Sequence, residues 1–215
     1  GWKPDLICGT SAGAINAAAY GSGMSVEMMD RLWQAYNRKW MYRISWPDFL
    51  RSFFNGRKFG PVTDTRPLKA MLEKNLDFAA LRHSKTQILI TALNMNTSQI
   101  KYFSHRVIGI DHLMAATAIP MLFPWQYIDG EPYWDAGIMV NTPITPALAW
   151  KARETIVVLH SPIGAFDVPT PRTRNQTAEL VLEHILIGSY TAMLPNACWQ
   201  DNPDADVFHT SLPGS

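Results

Sequence analysis

The sequence predicts an α/β fold: a three-layer α/β/α sandwich with a mostly parallel central sheet and a serine nucleophile elbow. Three observations predict it. Short apolar runs alternate along the chain with longer segments whose apolar residues recur at helical spacing, the pattern of helices layered on a sheet. The first such run passes directly into an alanine-rich segment through Gly-Thr-Ser-Ala-Gly, residues 9–13. The 215 residues, 47% of them hydrophobic, show no internal repeat and no Gly/Ser linker, which predicts one core and a single domain over residues 1–215.

Taken in order, residues 4–9 form an apolar run bounded by turn formers and read as a strand, followed by a helix over residues 14–20. Ser25 is placed to cap a second helix that continues to about Trp40. Pro47 near a first turn and Gly56 past an end bracket a third helix, and residues 64–75 read as a fourth. Residues 86–93, rich in Ile, Leu and Thr, and the alternating residues 99–103 predict two strands joined through 94–98. A helix over 110–118 stops at Pro120. Asp129 and Gly130 between apolar flanks predict a two-residue hairpin, so Asp129 is assigned a conformational role. A buried strand over 155–160, a long helix over 177–193 and a final strand over 207–212 complete the reading.

Charge and composition exclude several classes of function. Nineteen basic against 18 acidic residues leave a net charge of +1, so no global field draws the chain to nucleic acid. Cys8 and Cys198 match neither a disulfide framework nor a metal-ligand spacing, and no histidine pair stands at metal-like spacing beside a carboxylate. The greasiest stretch, residues 178–194, carries Glu179, Glu183 and His184, short of the roughly 18 uncharged residues a membrane span needs. No signal peptide is visible at the start. The expectation is a cytoplasmic or peripheral membrane protein. Residues 31–60 hold nine aromatics and seven cations against one acid, Asp48, a mixture suited to an interfacial surface and equally to a lid packed on the core.

Residues 9–13 carry the chemistry. Glycines at 9 and 13 let the backbone turn sharply between strand and helix, which lifts the Ser11 hydroxyl and leaves the amide of Ala12 and its neighbours, at a helix N-terminus, to face a reacting oxyanion. A serine nucleophile needs a base, and Asp135, in the turn Trp134-Asp-Ala-Gly, is the candidate.

The segment Trp134-Asp-Ala-Gly-Ile-Met-Val-Asn-Thr-Pro-Ile resembles the second signature of patatin-like phospholipases. Asp64-Thr-Arg-Pro-Leu, Asp111-His-Leu-Met-Ala-Ala-Thr-Ala-Ile-Pro, Phe123-Pro and Asp129-Gly-Glu-Pro-Tyr-Trp follow in family order, over roughly residues 5 to 160. The resemblance implies a lipid acyl hydrolase, of phospholipase A or lysophospholipase type, that cleaves a fatty-acyl ester through a Ser11–Asp135 dyad and an acyl-enzyme, with no cofactor and no metal. Two departures are visible. Ala136 stands where the family's first turn glycine is usual, and a positive φ there would be strained unless Gly137 absorbs it. The family's glycine-rich oxyanion segment lies upstream of the serine, so further oxyanion donors are expected outside residues 1–215.

Two other readings stay open. His160, His184 and His209 all follow Asp135, which permits the Ser-Asp-His order of a soluble α/β-hydrolase esterase. A catalytically impaired member that binds lipid or a partner is the other.

Overall fold

A computed structural model describes residues 3–35, 43–44, 63–120, 122–159, 170–173, 176–177, 180–181, 184–185 and 207–209. The chain divides into two compact units, Gly1–Ala136 and Gly137–Ser215. The helix expected over 45–56, Trp40, Trp46, His160 and Cys198 lie outside the described residues, as does most of 177–193 and 207–212.

In the first unit, β1 (Leu6–Gly9) leads into α1 (Ala12–Gly21) and α2 (Val26–Ala35). A short antiparallel pair, β2 (Arg43–Ile44) and β3 (Thr63–Asp64), precedes α3 (Arg66–Asn75) and α4 (Phe78–Arg82). Then come β4 (Gln87–Asn94), β5 (Gln99–Ser104), α5 (Ile110–Ala116), β6 (Gln126–Ile128) and β7 (Glu131–Trp134). The helix starts follow from local chemistry. Ser25 Oγ accepts the Met28 N–H at 3.2 Å, and the Asp64 carboxylate accepts the Arg66 N–H at 3.0 Å. Asp77 Oδ1 accepts the Ala79 and Ala80 N–H groups, each at 2.9 Å, and so opens α4, where the sequence reading placed no helix.

Alanines let α1 lie close on the sheet. Ala14, Ala17, Ala18 and Ala19 are buried, and at Gly21 a Cβ would come within 2.5 Å of Leu81 Cδ1 and 2.8 Å of Ile88 Cγ1. Ile88 and Ile90 of β4 share one core with Leu68 and Leu72 of α3, Leu81 of α4 and Leu113 of α5. Emptying any of these fully buried positions to alanine costs about 2–5 kcal/mol.

The sheet is mixed. β1 runs parallel to β4, from Leu6↔Gln87 to Gly9↔Ile90. β5 is antiparallel to β4 from Leu89↔Ser104 to Asn94↔Gln99, and β7 is antiparallel to it at Leu93↔Trp134 and Asn94↔Tyr133. The α/β class is the expected one. Where the sequence reading expects mostly parallel strands, the described sheet is mixed because two tight connections deliver antiparallel neighbours. One joins β4 to β5; the other is the expected hairpin from β6 to β7, with Asp129 at φ 52° and Gly130 at φ 82°, the left-handed pair that such a turn requires.

In the second unit, α6 (Thr145–Ala149) precedes β8 (Thr155–Val157), which pairs in parallel with β9 (Val207–His209). No helix among the described residues is long and apolar enough to cross a membrane.

Candidate active site

Ser11 sits at φ 56° and ψ −125°, between the end of β1 and the first residue of α1. A side chain at positive φ in this region of the map costs of order 1–3 kcal/mol and persists only where the surroundings hold it. Those surroundings are visible. The Gly13 N–H donates to the Thr10 carbonyl at 2.9 Å and the Ala14 N–H to the Ser11 carbonyl at 2.9 Å, closing the first turn around the serine. Gly9 is needed for a second reason: a Cβ there would collide with the Gly13 carbonyl and come within 2.7 Å of Ala14 N. The helix thus starts directly against the strand end, as the sequence reading expects of the elbow. Gly13 differs, because no atom lies within 4 Å of where its Cβ would be.

The two elbow amides differ. The Gly13 amide is already engaged by the Thr10 carbonyl, which leaves the Ala12 amide, at the first helical position, as the elbow donor that helix geometry leaves for an outside acceptor. Burial pushes the Cys8 thiol up to about 11, which keeps its thiolate scarce at neutral pH.

Strand pairing aims the end of β7, which precedes Asp135, toward the end of β1. A strand has two edges, and β5 occupies one edge of β4 over residues 89–94. β1 and β7 must therefore share the other edge, β1 along residues 87–90 and β7 along residues 93–94. One runs parallel to β4 and the other antiparallel, so their C-terminal ends face each other across a gap opposite Thr91 and Ala92. From Ile90, opposite Gly9, to Leu93, opposite Trp134, is about 10 Å along the strand. The β1 ladder ends at Gly9↔Ile90, two residues before Ser11, and the β7 ladder ends at Leu93↔Trp134, one residue before Asp135.

Asp135 is buried, 3% exposed, and its N–H donates to the Ala118 carbonyl at 2.9 Å, which fastens the turn to the end of α5. The indole N–H of Trp134 is buried with no acceptor among the described residues. Ala136 enters a 3-10 turn, Ala136–Ile138, and neither it nor Gly137 takes a positive φ. The strain expected at Ala136 is therefore absent, because a 3-10 turn uses right-handed backbone that accepts a methyl group. His184 and His209 belong to the second unit, and His184 is exposed.

Thr10 and Thr91 are the residues the sequence reading missed. Their Oγ1 atoms lie 2.6 Å apart, and Thr91 is fully buried. They stand 81 residues apart, and nothing in the local sequence of either announces the pair.

The model of the patatin-like phospholipase family matches residues 1–148. A protein of Pseudomonas aeruginosa (strain BWHPSA011 / Pa011) described as a cGAMP-activated phospholipase is 26% identical over 149 residues, which are 65% of this chain and 44% of that protein. The chain spans less than half the length of that relative.

Proposed function

We propose, because the chain belongs to the patatin-like phospholipase family, that it hydrolyses a carboxylic ester of a lipid with Ser11 as nucleophile and Asp135 as base. The observation that carries this reading is the left-handed serine elbow whose strand end faces, along one edge of β4, the strand end that bears a buried aspartate.

In the proposed reaction, Ser11 Oγ bonds to the ester carbonyl carbon as its proton passes to the Asp135 carboxylate. The oxyanion draws on the Ala12 amide and the α1 N-terminus. Collapse breaks the bond to the leaving alcohol, which takes the proton from Asp135. Water then attacks the acyl-enzyme and gives a proton to Asp135, and Ser11 leaves with that proton restored. A carboxylate takes a serine proton well only where water is excluded, which fits the burial of Asp135.

The aromatic and basic stretch over residues 31–60 is the proposed contact with lipid aggregates, in a protein that meets membranes peripherally. The decisive test is labelling of the full-length protein with a fluorophosphonate probe, read by mass spectrometry at Ser11, followed by a panel of phospholipids and soluble esters. Assays run with and without cGAMP, because the relative is described as cGAMP-activated. Labelling at Ser11 with phospholipid turnover supports the reading. Absence of labelling in both conditions points instead to a member that binds lipid without turnover.

A further inference from the structure

We propose that the Thr10 and Thr91 hydroxyls form a positioning clamp that sets the distance between the Ser11 nucleophile and the Asp135 base. The inference rests on the dyad reading above and extends it to two residues outside the dyad.

The ladder between β1 and β4 ends at Gly9↔Ile90, one residue before the elbow turns. At the next position the Thr10 and Thr91 Oγ1 atoms lie 2.6 Å apart and tie this strand end to β4 through side chains. Thr10 is then held on two sides. Its hydroxyl grips the sheet, and its carbonyl receives the Gly13 N–H at 2.9 Å from the first turn of α1. Ser11 follows directly, in a conformation that relaxes unless its neighbours prevent it.

Thr91 is also one of the two β4 residues standing opposite the gap between β1 and β7. The aspartate strand is referenced to β4 at Leu93↔Trp134, two residues further on. Nucleophile and base are thus both measured from the same short stretch of β4, one through the threonine pair and the other through the β7 ladder. Loosening the pair lets Ser11 shift relative to Asp135 without unfolding either strand. A structural role alone, a satisfied polar pair in the interior, would affect stability and leave the reaction geometry untouched.

The test uses Thr10→Val and Thr91→Val, the double variant, and Thr10→Ser and Thr91→Ser, all in the full-length protein. The readouts are kcat and KM on a short soluble ester, the rate of fluorophosphonate labelling at Ser11, and the melting temperature. Displacements of an ångström or so between reacting groups cost up to roughly 100-fold in rate. Each valine variant should lower kcat and labelling rate by about 10- to 100-fold with KM changed less than about twofold. The double variant should be no slower than the slower single one, since either change alone breaks the bond. The serine variants, which keep the hydroxyl, should recover most of the rate. Valine variants that melt lower but turn over at the wild-type rate overturn the clamp. Independent, multiplying losses in the double variant overturn it too. Should one valine variant fail to fold, kcat and labelling rate of the other valine variant decide, and a serine variant that folds yet turns over as slowly as Ser11→Ala overturns the clamp. A wild-type protein that neither turns over nor labels at Ser11 sinks the dyad reading itself, an outcome distinct from any failure of the clamp.

Discussion

Gly9 carries no side chain because the Gly13 carbonyl occupies the space a Cβ would take. The two glycines of the elbow therefore serve different ends. Gly9 lets the helix begin against the strand, while Gly13 has open space at its Cα and contributes an N–H to the Thr10 carbonyl.

Gly9→Ala should destabilise the protein by about 3 kcal/mol, the upper end for forcing a methyl group into a packed site, because the obstruction is backbone. Gly13→Ala should stay within about 0.5 kcal/mol of wild type. Urea denaturation of both variants checks this, and equal losses would refute the assigned difference.

Ser11→Gly should abolish fluorophosphonate labelling while raising stability by about 1 kcal/mol, since glycine adopts the φ of 56° without a Cβ clash. Ser11→Ala should abolish labelling without that gain. Thermal melting of the pair separates strain at the elbow from loss of the hydroxyl.

Asp135→Asn should keep the fold, since the backbone bond to Ala118 remains, and lower turnover by at least about 1,000-fold. Alanine at His160, His184 or His209, made singly, should leave turnover within about threefold of wild type. A well-folded histidine variant as dead as Ser11→Ala would replace the dyad by a triad.

Acid should destabilise the first unit through two histidines. Burial pushes the His105 imidazole below its ordinary range, with neighbouring Arg106 adding to the effect and a backbone hydrogen bond at Ile88 opposing it. Burial does the same to His112, against the opposing pull of Asp129 and Asp111. The His112 Nδ1 also accepts the Gly109 N–H at 3.2 Å, which the neutral ring can do and the charged ring cannot. An unfolded histidine binds a proton near pH 6.5. Below that value the unfolded chain takes up protons that the folded rings resist, so stability is full above about pH 6.5 and falls as pH drops toward the depressed folded values. His105→Asn, which keeps a polar side chain without the titration, should flatten the slope between pH 6.5 and 5 in urea denaturation. An unchanged slope would clear His105.

Trp40→Ala with Trp46→Ala should weaken binding to anionic vesicles while leaving hydrolysis of a short soluble ester within about threefold of wild type. Co-sedimentation with vesicles and the soluble-ester assay together decide. Unchanged vesicle binding rejects a lipid contact at this stretch, and loss of ester turnover together with stability assigns it to the core.

What the sequence determined by itself is local. The elbow at residues 9–13, the hairpin at Asp129 and Gly130 and the cap at Ser25 are written in neighbouring residues, because each depends on backbone angles and hydrogen bonds within a few positions. The order of signature segments also pointed to the family without any coordinates. Local reading failed at α4, whose five residues are too few to show a helical period. It failed again at Ala136, where the missing glycine mattered less than the 3-10 turn that replaced its conformation. Only the tertiary structure decided that β1 and β7 share one edge of β4, that Gly13 gives its amide to Thr10, and that Thr10 meets Thr91. The physical reason is that edge sharing and cross-strand hydroxyl contact depend on which strands pair and in what register. That choice comes from burying Ile88, Ile90 and their partners together, and no residue in the elbow or the aspartate turn encodes it alone.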